Sequence, residues 1–372
     1  MIVRLGDYIQ EYSVRNRDDE EIPVYSVTNK QGFCKDYFGK EVASKDKTTY
    51  KIVPRGCFAY NPSRINVGSV DWQRNEKKVI VSPLYNVFSV SSEVNRQFLY
   101  YYLKSDKTVH YIKNIARGSV RDNLKLDMLY EFKIDLPDKK EQERTATILD
   151  KVCELIGKHN QQLYMLDELV KSRFIELFGD IADGEKKTMA DICTIITDGT
   201  HQPPKFVSEG IPFLFVSNVV TNEISYDTQK FISEETYAEL IKRTPIEIGD
   251  ILLSTVGSYG HPAVVKKEKL FCFQRHIAYL KPNADMVDSE YLHGAILSAD
   301  VQRQIDERVK GIAQKTLNLS EIRKIKLPLP PIDRQKQFAA FVAQTDKSKS
   351  AIQKSLDELE ILKKSLMQKY FG

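Results

Sequence analysis

Shifted by 193 positions, so that Gly179 falls on Gly372, the chain comes into register with itself. RGSVRDNLKLDMLYEFKIDLP, from Arg117, then lies on KGIAQKTLNLSEIRKIKLPLP, from Lys310. Gly118 meets Gly311, Leu124 meets Leu317, Leu126 meets Leu319 and Pro137 meets Pro330. From Leu136 to Gly179 the two copies agree at 11 of 44 positions, and these include the prolines, the glycines and the spaced leucines. Further back, VNRQFLYYYLKS pairs with VDSEYLHGAILS, Gly56 with Gly249, and IPVYSVTN resembles IPFLFVSN. A solenoid needs three or more short repeats. Two long copies predict two globular heads of one shape.

Each copy opens with short β-branched and aromatic runs broken by Gly, Pro, Asn and Asp, such as TYKIVPRGCFAYNPSRINVGS and TPIEIGDILLSTVGSYGHPAVV. These runs read as strands joined by sizeable loops. After LPDKKEQ and LPLPPIDRQ the pattern changes. Leu149, Val152, Ile156, His159, Leu163, Leu166, Val170 and Arg173 alternate steps of three and four, a heptad seam with two polar interruptions. In the second copy Ile352, Leu356, Leu359 and Leu366 hold the equivalent seam. Proline suits the first helical position and glycine at positive φ suits the end, which assigns Gly179 and Gly372 as carboxyl caps. A lone helix of roughly 60 Å with an apolar stripe is poorly stable, so the two are expected to pair, antiparallel. The fold class is therefore α+β. The expected division is a head over 1–135, a long helix over 136–180, a second head over 181–328 and a second long helix over 329–372. His159 reads as a register-setting polar residue rather than a metal ligand.

Bulk properties narrow the function. The five cysteines (Cys34, Cys57, Cys153, Cys193, Cys272) are scattered and never spaced CxxC, which fits a reducing cytoplasm and no zinc site. No apolar run is long enough for a membrane span. A net charge of +4 permits nucleic-acid binding without demanding it. Chemistry is harder to find. The nearest approaches to a base-methylating NPPY tetrapeptide are NPSR at Asn61 and HQPPKF at His201, and no GxGxxG, Walker A or GxSxG motif is present. The chain reads as a binder rather than an enzyme, with no cofactor or metal of its own.

Matched loops carry the candidate contacts. Arg55, Arg64, Arg74, Lys77 and Lys78 outnumber Asp71 and Glu76, and are interleaved with Tyr60, Asn61, Trp72 and Gln73. In the second copy Lys266, Lys267, Lys269 and Arg275 outnumber Glu268, among Ser254, Ser258, Tyr259, His261, Gln274 and His276. Arg and Asn/Gln pair bidentately with guanine and adenine, and Lys anchors phosphates. Arg15, Asn16 and Arg17, with His201, Gln202 and Lys205, form a second set near the start of each head. Loop chemistry differs between the copies while the helices agree, as suits two readers of different half-sequences.

Two similar halves, each a variable head followed by LP-x(4)-Q and a long helix ending in FG, resemble the specificity subunit of type I restriction-modification systems. IGDILLSTVGSYG and QRHIAYL of the second head are the other specific features; the first head has VPRGCFAYNP instead of a clear IGDILLS. The resemblance implies two target recognition domains, each reading one part of a split double-stranded DNA sequence. It also implies an antiparallel coiled-coil spacer with pseudo-twofold symmetry and no catalysis in this chain. Partners implied are two modification subunits, which bind S-adenosylmethionine, and restriction subunits, which use ATP and Mg. Heads so related would meet the major groove about one helical turn apart, roughly 34–36 Å. The rival readings are a non-enzymatic coiled-coil assembly scaffold whose heads bind proteins, and a methyltransferase with degenerate motifs.

Overall fold

The computed structural model describes residues 1–35, 46–115, 123–179, 186–311 and 314–372. Parts of the repeated segments, Arg117 to Asp122 and Ile312 to Ala313, and the expected boundary at 180–181 lie outside the described residues. The rest forms two compact units, Met1–Asn160 with Lys354–Gly372, and Gln161–Gln353.

In the first unit the strands are β1 (Ile2–Arg4), β2 (Ile9–Glu11), β3 (Ser26–Thr28), β4 (Gly32–Cys34), β5 (Lys51–Pro54), β6 (Phe58–Tyr60), β7 (Val70–Trp72), β8 (Lys78–Val81) and β9 (Asn86–Val90). They are followed by α1 (Arg96–Lys104), α2 (Asp106–Ile115), α3 (Leu126–Tyr130), β10 (Lys133–Asp135) and the long α4 (Lys139–Phe178). The central sheet has the order β2-β9-β6-β7, while β1 clasps β10 beside the root of α4. Phe58, Tyr60, Phe88, Phe98 and Leu99, all nearly inaccessible, form the centre of the core.

The second unit holds β11 (Lys186–Thr188), α5 (Met189–Ile192), β12 (Cys193–Asp198), β13 (Ile211–Leu214), β14 (Phe231–Ile232), α6 (Glu234–Leu240), β15 (Ile251–Ser254), β16 (Pro262–Val264), β17 (Cys272–Phe273) and β18 (Ile277–Pro282). Then come α7 (Ser289–Leu297), α8 (Ala299–Arg308), α9 (Leu319–Ile322), β19 (Lys326–Pro328) and α10 (Ile332–Phe371). Its central sheet runs β12-β18-β15-β16 and its clasp is β11-β19, the same order as in the first unit. Register agrees too: Phe58 lies opposite Phe88, and Ile251 opposite Leu280. Gly56 and Gly249, which open β6 and β15, both adopt positive φ (89° and 96°), a region that glycine enters without the Cβ penalty. The outer layers differ. The first head adds the antiparallel pairs β3-β4 and β5-β8, the second a β14-β13-β17 sheet with β13 and β17 parallel.

The LP-x(4)-Q motif has a physical reason. Gln142 is buried in the first turn of α4. Its Oε1 accepts from Asn95 N at 2.7 Å, and its Nε2 donates to Glu93 O at 3.2 Å and Pro137 O at 2.9 Å. Gln335 repeats this with Asp288 N at 2.8 Å, Met286 O at 3.2 Å and Pro330 O at 2.8 Å, each partner displaced by the same 193 positions. A buried amide that meets three backbone groups knits the long helix to the start of α1 or α7. The prolines precede the helices rather than occupying their first turns; Asp138 caps α4 through Glu141 N at 2.9 Å, and Pro331 O receives Arg334 N at 3.0 Å. Neither Gly179 nor Gly372 adopts positive φ, and Gly372 N simply continues the helical ladder to Gln368 O.

Each helix is 40 residues long and contributes to both units. Within the first unit the start of α4 lies against the end of α10: Leu149 shares a core with Phe371, and Leu366, Met367 and Tyr370 pack on it. Within the second unit the end of α4 meets the start of α10, with Phe174 and Phe178 against Phe338 at 5.4 and 5.8 Å between ring centroids. In each unit the pair is therefore antiparallel. Leu149, Val152, Ile156 and Leu356 of the seam are buried, while Leu163, Leu166, Val170, Ile352, Leu359 and Leu366 are half-buried. His159 lies 3.2 Å from Ser355 Oγ across the pair. No helix among the described residues is long and apolar enough to cross a membrane.

Candidate nucleic-acid interface

The sheet registers decide which loops correspond. Glu11 lies opposite Phe88 and Ile196 opposite Leu280, so Ser13 holds the position of Asp198, and Arg15 to Arg17 that of Thr200 to Gln202. The two early candidate sets therefore leave the same edge of the same sheet. Each lines a hollow. In the first head Arg15 and Arg17, with Ser13, Thr48 and Thr49, border an open concavity of about 820 Å³. Asn16 between them is buried and holds the turn, its Oδ1 accepting from Glu20 N and its Nδ2 donating to Glu20 O. Asn16 is thus a framework residue, whereas both arginines face solvent.

In the second head the hollow encloses about 230 Å³ between Asp198, His201, Glu239, Arg243, Thr244 and the Cys272–Phe273 strand. Asp198, 15% exposed, binds His201 Nε2 at 3.0 Å through Oδ2 and the Arg243 guanidinium through Oδ1. A Cβ on Gly199 would come within 2.2 Å of Phe273 O and 2.5 Å of Gln274 O. Only glycine allows this approach, which pairs Thr200 with Gln274; Arg275 N donates to Thr200 O at 3.0 Å. Burial, then the Arg275 charge, lower the pKa of His276 below that of an ordinary histidine. Gln202 and Lys205 are exposed on the same loop.

Burial corrects two candidates, Tyr60 and Ser254, and several others are held by partners within the head. Tyr60 is fully buried, donates to Leu124 O at 3.1 Å and accepts from Asn86 Nδ2 at 2.9 Å, so it cannot stack on a base. Ser254 is equally inaccessible, and its Oγ accepts from His261 N. The Trp72 indole donates to Gln97 Oε1 at 2.9 Å, and the Arg74 guanidinium sits 4.6 Å from the Trp72 ring, 5.2 Å from that of Tyr100, and 2.9 Å from Asp71. This pair brackets the sheet against α1. Lys266 joins Glu290 at 3.0 Å to Asp346 at 2.5 Å, tying the head to α10; burial opposes its charge, but the two carboxylates outweigh it and raise its pKa. Tyr259 donates to Asp306 at 2.9 Å and His261 lies 3.1 Å from Asn222 Oδ1. Lys78 is held by Glu20.

The remaining candidates stand nearer solvent. Arg55, Arg64, Lys77 and Ser258 are exposed, Asn61 is half-buried in a turn that receives Ser63 N, and Arg55 also donates to Asn75 O at 2.6 Å. Sequence reasoning missed Arg243 and Asp198, because 45 positions separate them and no motif links them. Among the described residues no group of His, Cys, Asp and Glu could hold a metal ion.

Comparison with known proteins adds to this geometry. The family described as “Type I restriction modification DNA specificity domain” matches the chain twice, over residues 6–165 and 182–361. The type I restriction enzyme MjaVIII specificity subunit of Methanocaldococcus jannaschii is 23% identical over 394 residues, spanning 98% of this chain and 90% of that protein. The EcoBI specificity subunit of Escherichia coli is 26% identical over 177 residues, 46% of this chain and 37% of that one. The crystal structure of a Type-I restriction-modification system S subunit from M. genitalium covers 100% of this chain and 96% of its own, with a TM-score of 0.60 at 16% identity. A chain from a type I R-M system, solved for its complex assembly and conformational transition, covers 100% and 97% with a TM-score of 0.52 at 17% identity. At these identities the two structures speak for the fold.

Proposed function

The chain belongs to the type I restriction-modification DNA specificity family, with two copies of its domain, and from that premise we propose that it reads a split DNA target with one head per part and carries modification and restriction subunits to it. One observation supports this most. The two heads share a sheet order, a clasp and a buried hinge glutamine, yet at the same sheet edge they present hollows of different chemistry. Equal frames with unlike loops suit two half-sequences better than one repeated ligand.

Exposed arginine and lysine side chains supply phosphate anchors and base contacts. The long helices serve as spacer, and they also offer apolar side chains to solvent: Leu155, Ile361 and Leu362 in one unit, Tyr164, Met165, Leu169 and Ile175 in the other. Such residues suit docking of two modification subunits. S-adenosylmethionine, ATP and Mg belong in this reading to the partner subunits, the chain itself performs no catalysis, and the complex works in the cytoplasm.

Methylation-aware sequencing of DNA from cells holding the chain and its modification subunits tests the proposal. A two-part motif is expected, and absence of any sequence preference refutes it. Inserting residues in α4 and α10 together should lengthen the unspecified gap without altering either half. An assembly scaffold with protein ligands would instead show a log–log salt slope for DNA binding near zero, against about −0.9 per phosphate contact for a duplex reader.

A further inference from the structure

We propose that in each head the hollow beside the loop leaving the first strand of the four-stranded sheet is the base-reading element, and that in the second head Arg243, which enters this hollow from the segment after α6 and is braced by Asp198, reads a guanine edge in the major groove. This rests on the DNA-reading function above and names one side chain for it.

Arg243 is 52% exposed while the carboxylate behind it is 15% exposed, so the guanidinium stands at the rim with its brace inside. Its Nε donates to Thr197 Oγ1 at 3.4 Å and one terminal nitrogen to Asp198. The other terminal nitrogen has no further bond to the described residues. A guanidinium held on one side has already lost the rotamer freedom that binding would otherwise remove. What it offers outward is a pair of parallel donors, matched to O6 and N7 of guanine. Glu239 and Asp198 in the same hollow repel a backbone phosphate, which favours a base edge over the sugar-phosphate chain. Asp198 also fixes His201, and Gly199 pins the loop against Gln274, where Arg275 N donates to Thr200 O. In the first head Ser13 occupies the place of Asp198, and among the described residues no ion pair holds Arg15 or Arg17, so these two read by different chemistry.

The test uses the chain assembled with its modification subunits and a duplex bearing its methylated motif. Each guanine in turn is replaced by 7-deazaguanine, which lacks the N7 acceptor. One replacement, in the half read by the second head, should weaken the unaltered complex roughly 5- to 10-fold, the lower part of the range for a bidentate contact, because O6 remains. Arg243→Ala should bind the natural duplex about as weakly, ignore that single replacement, and keep its response to every other guanine. Arg243→Lys, which retains charge and single-point donors without the fork, should respond to that replacement less than the unaltered complex and more than Arg243→Ala. Full retention of wild-type sensitivity at all guanines overturns the inference and leaves DNA reading intact. A loss spread evenly over both halves marks Arg243 as a strut, which also overturns it. An unaltered complex with no preferred sequence removes the DNA-reading function itself.

Discussion

The two heads differ most where their sheets are outermost and agree most where they touch the long helices. Around the helix roots the correspondence reaches single hydrogen bonds, as Gln142 and Gln335 show. At the far side one head has antiparallel pairs and the other a parallel pair of strands. The outer layers bury separate clusters, Val53, Val79 and Val81 in one head and Phe213, Ile232 and Cys272 in the other, so they can differ without disturbing the core at the helix roots. Whatever seats a helix is not free, since a change there unseats a 40-residue element.

The largest effects should come from the aromatic ends of the helices. Phe371 packs 5.1 Å from Phe98, and Phe178 packs 4.8 Å from Tyr291, the residue equivalent to Phe98. Phe178 also touches Phe174 and Phe338. Phe178→Ala and Phe371→Ala should each cost about 3–5 kcal/mol, with the greater loss at Phe178. Denaturant unfolding of the purified chain measures both, and a neutral result at either position would break the equivalence of the two seats.

Next come the hinge glutamines. Gln142→Ala and Gln335→Ala each strand one backbone N–H and two carbonyls in a buried place, at about 3 kcal/mol. The comparison is sharpened if the two losses match within error, as their bond lengths imply. A difference above roughly 1 kcal/mol would mean that water reaches one of the hinges and not the other.

These seats were legible in the sequence because they repeat. Proline, glutamine, leucine and terminal phenylalanine recur at one spacing, and spacing survives without coordinates. The antiparallel pairing followed from topology alone. Candidate contacts were harder. Tyr60 and Ser254 carry groups that suit a base contact, but their hydroxyls complete hydrogen bonds inside the head. Arg74 reads in the sequence as a base-edge contact and is instead stacked against Trp72 and Tyr100, because a guanidinium covers aromatic faces as readily as it meets an acceptor. Lys266 reads in the sequence as a phosphate anchor, and only the packed α10 reveals Asp346 beside it. Charge runs give no direction in space, and loop conformation decides which side chain turns outward.

The heads should also part company in acid. His293 stands where the first head has Tyr100. Its Nε2 lies 3.1 Å from Asn222 O, and burial, aided by the Lys266 charge, lowers its pKa to about 4 despite the opposing Asn222 and Pro262 carbonyls and Asp346. The unfolded chain takes up this proton near pH 6.5 and the folded chain only near 4. Stability from this group is therefore complete above 6.5 and declines as the pH falls toward 4, by up to about 3 kcal/mol. Tyr100 is pushed up to about 12 by burial and does not titrate in that window. Stability against pH for the chain and for His293→Gln, whose amide can still donate, should diverge below 6.5. Parallel curves would show that the imidazole does not distinguish the heads.

The smallest contrast concerns the clasps. The β1-β10 and β11-β19 pairs each align three residues and brace one helix root. The first carries Arg4 with Glu131, both largely in solvent; the second carries Lys186 with Asp300, each about a third exposed. Exposed ion pairs gain little, because water and salt screen the attraction while two side chains lose freedom. Arg4→Ala should leave the unfolding midpoint unchanged. Lys186→Ala should cost about 0.5–1 kcal/mol, and that loss should shrink on raising ionic strength to 1 M. If Arg4→Ala proved the costlier of the two, the clasp would depend on surface charge rather than on strand pairing, and the likeness between the two roots would be one of backbone only.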